Sequence, residues 1–128
     1  MIVVDTSAII AVITREPSID TLNAKIILHA ERFVPATAVL EATMVLTRAY
    51  ADPKPVIDQY LAANSLEIVS IDAPVVSAAQ TAFLMFGKGR HPARLNLCDC
   101  FSYAVAKMLN CPLLYIGNDF AKTDIAAA

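Results

Sequence analysis

The sequence predicts an α/β fold in which a short, mainly parallel sheet is covered by helices on both sides. Short apolar segments without polar alternation recur along the chain, as in strands that are buried on both faces. Segments with apolar residues at helical spacing lie between them, and this alternation favours right-handed parallel crossovers. With 128 residues, of which 57% are hydrophobic and 17% charged, the chain is expected to form a single domain over residues 1–128.

The first half of the chain is predicted to contain two strands and four helices. In order, these are a strand at 1–4, helices at 6–14 and 18–30, a strand at 33–35, and helices at 36–50 and 53–61. Asp5, Thr6 or Ser7 is expected to cap the first helix. Asp52 and Pro53 predict a helix start, with the acid as N-cap and the proline at the first helical position.

The second half is predicted to contain two strands and two long helices. A strand at 66–71 is followed by a helix from Asp72, its expected N-cap, to about residue 84. Residues 87–94 form a loop by composition, and Asn96 begins a helix that runs over 97–109. A last buried strand at 113–116 ends in a turn at Gly117 and Asn118, before an alanine-rich tail.

Charge and hydropathy limit the classes of partner. A net charge of -2 gives no general attraction to nucleic acid, so a local basic feature or bound cations would have to hold such a partner. Asp5 interrupts the apolar N-terminal stretch, and no basic segment precedes it, so we expect no signal peptide, no membrane association and a cytoplasmic protein. The apolar composition favours a surface for self-association or for a partner.

The three cysteines are expected to be reduced core thiols. Cys98, Cys100 and Cys111 are odd in number, and two of them lie only one residue apart, which does not suit a disulfide framework. Their spacing also lacks the fourth ligand of a zinc site. Free cysteine is commonly buried, which favours a place in the core.

Four carboxylates stand out by their position in the predicted fold. They are Asp5 directly after the first strand, Glu41 within an apolar helix, Asp99 in the first turn of another helix, and Asp119 after the last strand. The carboxyl ends of parallel strands meet at one edge of a sheet, where functional groups gather. Such acids would raise each other's pKa unless a cation bound between them, and Mg²⁺ or Mn²⁺ prefers carboxylate oxygens.

Each of these acids also has a purely structural explanation. Asp5 could cap a helix, and Asp99 lies three residues after Asn96, as in a capping box. Glu41 could face solvent on its helix, and Asp119 could belong to a turn. The residues alone leave these alternatives open.

Four segments, in the same order along the chain, resemble PIN-domain ribonucleases of the VapC toxin type. They are VDTSAI at residues 4–9, AVLE at 38–41, LNLCDCFSYA at 95–104 and LYIGNDFAKTDI at 114–125. The resemblance implies a PIN-like three-layer α/β/α sandwich and a metal-dependent endoribonuclease that acts as the toxin of a type II toxin–antitoxin pair. It also implies Mg²⁺ or Mn²⁺ as cofactor, an RNA substrate, a cognate VapB-type antitoxin and a homodimer.

The resemblance assigns roles to particular residues. Catalysis and metal binding fall to Asp5, Glu41, Asp99 and Asp119, with Asp124 as a neighbour of the site. The hydroxyls of Thr6 and Ser7 would support a carboxylate or a metal-bound water, or simply cap the helix. Similar sequences often carry glycine before the third acid. Here Cys98 stands there, which would crowd the site or place a thiol near the metal.

The basic loop, defined here as residues 87–94, contains the only dense run of cations. Lys88, Arg90 and Arg94 are expected to contact RNA phosphates, with His91 among them, unless the loop is only a solvated surface. Two other functions remain open. One is a non-catalytic PIN-fold module that binds RNA or protein. The other, a phosphatase of the phospho-aspartate type, is disfavoured because Ser7 stands where a second aspartate would be expected.

Overall fold

The computed structural model describes all 128 residues and contains six α-helices and four strands. Their bounds in chain order are β1 Ile2–Val4, α1 Thr6–Ile13, α2 Ile19–Ile27, β2 Arg32–Pro35, α3 Ala36–Leu46, α4 Lys54–Ala63, β3 Leu66–Val69, α5 Ala73–Phe86, α6 Leu97–Met108 and β4 Leu113–Leu114. A single 3-10 turn follows at Phe120–Lys122. The predicted α/β alternation is confirmed.

The four strands form one sheet in the order β3-β2-β1-β4. Every pairing is parallel, so the sheet is wholly rather than mainly parallel. The first strand of the chain therefore lies inside the sheet, between β2 and the last strand. All its residues are fully buried, as the apolar run without polar alternation predicted.

Alternate residues of β1 enter two separate cores. Ile2 and Val4 pack in a core with residues of α1 to α4, whereas Val3 packs on the opposite face with residues of α5 and α6. Because side chains of a strand alternate between its two faces, this arrangement places helices above and below the sheet. The three-layer α/β/α architecture is confirmed.

Several predicted bounds were too long. α3 ends at Leu46 rather than 50, because the next backbone hydrogen bonds, from the Arg48 N–H to Val45 O and from the Ala49 N–H to Leu46 O, join residues three apart. β4 ends at Leu114 rather than 116, because the N–H of Ile116 leaves the sheet and donates to the Ser7 hydroxyl at 3.0 Å.

The predicted start of α4 was wrong by one residue. Pro53 occupies the N-cap position and the helix begins at Lys54. Asp52 still acts at this end, since its Oδ1 accepts a hydrogen bond from the Lys54 N–H at 3.1 Å. By contrast, Asp72 caps α5 as predicted, accepting from the Val75 N–H at 3.1 Å. None of the helices combines the length and apolar character that crossing a bilayer requires.

Candidate active site

Asp5 lies where β1 ends and α1 begins, and its two carboxylate oxygens have different surroundings. Oδ2 accepts hydrogen bonds from the Ser7 N–H at 3.0 Å and from the Ser7 hydroxyl at 2.7 Å, which caps α1. Oδ1 is buried and has no hydrogen-bond partner. The side chain is only 3% exposed. Capping thus accounts for one oxygen and leaves the other free to bind a ligand.

Ser7 joins two parts of the site. While its hydroxyl donates to Asp5, it also accepts from the Ile116 N–H at 3.0 Å. Ile116 belongs to the turn that leads from β4 to Asp119. The hydroxyl therefore connects the ends of two adjacent strands in addition to contacting the Asp5 carboxylate.

Ser102 on α6 also faces Asp5, and sequence reasoning missed it. Burial raises the pKa of the Asp5 carboxyl, the Ser102 hydroxyl and the hydrogen bonds from Ser7 lower it, and the charge of Glu41 raises it further. Yet neither Ser102 Oγ nor Asp5 Oδ1 has a partner within hydrogen-bond geometry, so the two groups approach without completing a bond. Ser102 follows Asp99 by three residues on one helix, and that spacing was the available signal.

Asp99 is held by the N-terminus of α6. Its Oδ2 accepts from the Asn96 N–H at 2.9 Å, and Asn96 Oδ1 accepts from the Asp99 N–H at 2.9 Å, so the predicted capping box is present. Burial is the main reason that the pKa of Asp99 is raised to about 6, and the charges of Asp5, Glu41 and Asp119 add to it. The four predicted acids thus lie near one another, although Asp99 also serves as a cap.

Glu41 comes to the same place from the third helix. It is half-buried on α3, so its side chain is only partly open to solvent. Its neighbour across the site is Cys98, a half-buried thiol whose pKa is raised to about 12 by burial and then by Glu41, Asp99 and Asp5. Cys98 therefore lies among the acids rather than in the core, unlike the buried Cys100 and Cys111.

Asp119 completes the group from the turn after β4. It is exposed and makes no capping hydrogen bond with its own 3-10 turn. Together with Asp99 it lines an open cleft of about 320 Å³, whose other lining residues are Lys88, Arg94 and Asn96. We call this the charged cleft. It connects the acids with part of the basic loop.

The donor set suits a hard divalent cation. The unpartnered Oδ1 of Asp5 is a buried acceptor without a donor, which is costly unless a ligand satisfies it. Burial is the main cause of the raised pKa of Asp99, and a cation would offset the smaller part that comes from the neighbouring carboxylates. No three Asp, Glu, His or Cys side chains are arranged as a complete ligand set. Mg²⁺ tolerates this, because it usually keeps several waters and takes only one or two carboxylates.

Two other predicted residues make contacts away from these acids. The Thr6 hydroxyl donates to Ala38 O at 3.4 Å and so joins α1 to α3. Asp124 accepts from the Tyr103 hydroxyl and forms an ion pair with Lys107 at 3.0 Å. Lys107 lies eight residues after Asp99, about 12 Å along the helix axis at the usual rise. Asp124 is thus fixed beside the C-terminal half of α6.

Comparison with known proteins agrees with this architecture. A model of the PIN domain matches residues 2–126. The ribonuclease VapC of Mycolicibacterium smegmatis is 39% identical over 126 residues, which make up 98% of this chain and 98% of that protein.

Two solved structures show the same fold. The crystal structure of Mycobacterium tuberculosis VapC20, a sarcin-ricin loop cleaving toxin, has a TM-score of 0.79 at 15% identity and covers 100% of this chain and 98% of its own. The crystal structure of Rickettsia felis VapBC2, bound to a DNA fragment from its promoter, has a TM-score of 0.78 at 15% identity and covers 100% of this chain and 98% of its own. Since the family model and the similar sequence both extend over nearly the whole chain, the protein belongs to the PIN-domain family, among the VapC ribonucleases.

Proposed function

We propose that this protein hydrolyses phosphodiester bonds of RNA with a divalent cation and acts as the toxin of a type II toxin–antitoxin pair. The full-length similarity to a VapC ribonuclease supports the reaction class. The observation that carries the chemistry is the buried Oδ1 of Asp5, which has no partner and lies beside Glu41 and Asp99.

In this proposal Asp5 and Asp99 bind the cation most directly, and Glu41 and Asp119 complete its surroundings. Bound Mg²⁺ or Mn²⁺ supplies a positive charge that polarises the phosphate and lowers the pKa of a water. The protein contributes fixed geometry. Ser7 restrains Asp5, and the backbone of Asn96 restrains Asp99, so neither carboxylate must be ordered when substrate arrives.

Glu41 and Asp119 are less restrained than the other two acids. Asp119 makes no capping bond, and Glu41 is half-buried at the edge of the group. We propose that their oxygens accept hydrogen bonds from the attacking water and orient it towards the phosphorus. Catalysis then needs no covalent nucleophile from the protein. The role of Cys98 is to fill space beside Glu41 as a neutral thiol, in keeping with its raised pKa.

The test compares the wild type with Asp5→Asn and Asp99→Asn, because asparagine keeps the size and most hydrogen bonds of each carboxylate. We expect RNA cleavage in Mg²⁺ or Mn²⁺ to fall by at least about 100-fold in each variant, since loss of an outer partner alone typically costs about 10- to 100-fold. Calorimetric titration with Mn²⁺ should show weakened binding in both. EDTA should abolish cleavage by the wild type.

Asp58→Asn is the matched control, because Asp58 is an exposed acid on α4, where it pairs with Lys54. This variant should cleave RNA and bind Mn²⁺ as the wild type does, and circular dichroism should show that all variants are folded. Retained cleavage in both site variants would refute the catalytic assignment. Tight RNA binding by a wild type that is inert with Mn²⁺ would instead favour the non-catalytic module.

We also propose a homodimer and a cognate VapB-type antitoxin as partners. An apolar groove of about 430 Å³ between α5 and α6 supports a binding surface, since it is lined almost entirely by hydrophobic residues. Exposed side chains along it include Phe83, Leu84 and Leu97, the last of which is 74% exposed. Apolar area of this kind on a small protein favours association.

A further inference from the structure

The charged cleft contains cations and carboxylates that do not neutralise one another. Lys88 and Arg94 line it together with Asp99 and Asp119. The ion pairs of the protein, however, are Lys54–Asp58 and Lys107–Asp124, neither of them in the cleft. Both cations are exposed and keep their charge available for an anion, directly beside the acids that suit a cation.

The basic loop that carries these cations is fixed by its own backbone. Its two ends are tied by hydrogen bonds from the Lys88 N–H to Leu95 O and from the Leu95 N–H to Phe86 O, both at 3.0 Å. Inside the loop, His91 Nδ1 accepts from the Ala93 N–H at 3.0 Å, and Ala93 and the adjoining Leu95 are fully buried. The loop backbone is therefore held in one arrangement, while Lys88, Arg90 and Arg94 are exposed on its surface.

Arg90 differs from the other two cations of the loop. Its Nε donates to Leu84 O at 3.1 Å, at the C-terminal end of α5. It does not line the charged cleft. A cation that satisfies a carbonyl near a helix C-terminus has a structural role. The sequence grouped Arg90 with Lys88 and Arg94, and the three do line a second open pocket of about 530 Å³ on the loop. Of the three, only Lys88 and Arg94 also line the charged cleft.

Asn96 adds a neutral donor to the same cleft. Its Oδ1 is occupied, since it accepts from the Asp99 N–H at 2.9 Å. The side-chain amide therefore has both N–H groups of Nδ2 left for a ligand. Asn96 lines the cleft beside Lys88 and Arg94, so one neutral donor and two cations converge there.

We propose that Lys88, Arg94 and Asn96 form a subsite for a backbone phosphate of single-stranded RNA next to the acid cluster, and that Arg90 takes no part in it. The inference rests on the proposed function. A phosphodiester suits both the acids and the donors of the cleft, because its oxygens can bind a divalent cation as well as cationic and amide groups. A single strand is favoured because Asp5 is almost fully buried, so the backbone must bend into the cleft to approach it.

Fluorescence anisotropy with a labelled single-stranded RNA, in EDTA so that the RNA stays intact, tests this over a range of KCl concentrations. The logarithm of the binding constant, Kobs, falls linearly with log[salt]. Each phosphate contact to a single strand makes this negative slope steeper by about 0.7. Lys88→Gln and Arg94→Gln should each make the slope shallower by about 0.7. Each should also weaken binding to the same extent for RNAs of different sequence. Arg94→Lys should restore the slope, because it keeps the charge.

Two further variants separate position from charge. Arg90→Gln should leave the slope unchanged, although it removes a positive charge from the same loop. Asn96→Ser should weaken binding without changing the slope, because serine keeps the helix cap but lacks the amide donors. If Arg90→Gln makes the slope as shallow as Lys88→Gln does, the proposed subsite is refuted.

Cleavage by the same preparations distinguishes the two proposals. If the wild type cleaves RNA and the slopes of Lys88→Gln and Arg94→Gln equal the wild-type slope, the subsite is refuted and the nuclease assignment stands. A wild type that neither binds nor cleaves RNA refutes both. We expect the salt slope to become shallower only in Lys88→Gln and Arg94→Gln. The wild type and Arg90→Gln should both cleave RNA.

Discussion

Asp5 shows how one side chain can be both a structural and a functional residue. Its Oδ2 caps α1 through Ser7, and its Oδ1 is buried without a partner. The sequence offered helix capping and metal binding as alternatives. The structure confirms the cap, and metal binding by the second oxygen is still a prediction. A residue with this double role cannot be replaced without touching both the fold and the proposed chemistry.

The acids should make the metal-free protein more stable at low pH than at neutral pH. The pKa of Asp99 is raised from 3.8 to about 6, and that of Asp5 is raised as well, so the folded state binds their protons more tightly than the unfolded state. The stability that protonation provides is fully present below about pH 3.8 and is lost as the pH rises through about 6. Urea unfolding in EDTA at several pH values measures this.

The matched variant is Asp99→Asn, which should be less sensitive to pH between about 4 and 7 than the wild type, since it lacks the carboxyl that titrates. Asp124 provides a control of opposite sign. Its pKa is lowered by the Tyr103 hydroxyl and Lys107, so its contribution is present at neutral pH and lost on acidification. Identical pH profiles for the wild type and Asp99→Asn would contradict the raised pKa of Asp99.

At the scale of elements, the join between α5 and the basic loop depends on Gly87. A Cβ atom at this position would lie 2.3 Å from the Phe83 ring and 2.5 Å from Phe83 O. Gly87 also accepts backbone hydrogen bonds from Arg90 and His91. Movement at this residue would therefore be passed on to the cations of the loop.

Gly87→Ala should lower the free energy of unfolding by about 1 to 3 kcal/mol, the usual cost of overpacking, and weaken RNA binding through the displaced loop. Gly89→Ala is the control. Its φ of +85° makes alanine strained, but a Cβ there meets nothing within 4 Å. It should therefore lose stability through backbone strain alone and keep the loop attached. Urea unfolding and anisotropy measure both effects. A Gly87→Ala protein as stable as the wild type would show that α5 accommodates the methyl group.

Local sequence patterns predicted elements well where local interactions decide them. β1 was predicted because an uninterrupted apolar run requires burial on both faces, and the box of Asn96 and Asp99 because its spacing is local. The end of β4 was not predictable, since it depends on a hydrogen bond from Ile116 to Ser7, 109 residues away in sequence. Likewise, the spacing of Ser102 from Asp99 indicates a shared helix face but not the contact with Asp5. The sequence around Arg90 does not show that its side chain turns back to α5.

At the scale of the whole molecule, the exposed apolar groove predicts self-association. Light scattering coupled to size exclusion should give a mass of twice 13.8 kDa. Leu84→Asp, which places a charge on the wall of the groove, should shift the protein towards monomer. Leu28→Asp is a control of the same type at the C-cap of α2, since Leu28 is also strongly exposed but lies outside the groove. Dimers that persist in Leu84→Asp and dissociate in Leu28→Asp would place the contact on the other helical layer.

The position of β4 beside β1 has a consequence for the order in which the protein is made. The first strand acquires its second neighbour only from residues 113 and 114, and the final alanines then hydrogen-bond to Leu113. Asp119 comes from the same late segment. The four acids can therefore come together only after β4 and the turn to Asp119 have left the ribosome. A chain that stops before β4 lacks both the second neighbour of β1 and the fourth carboxylate.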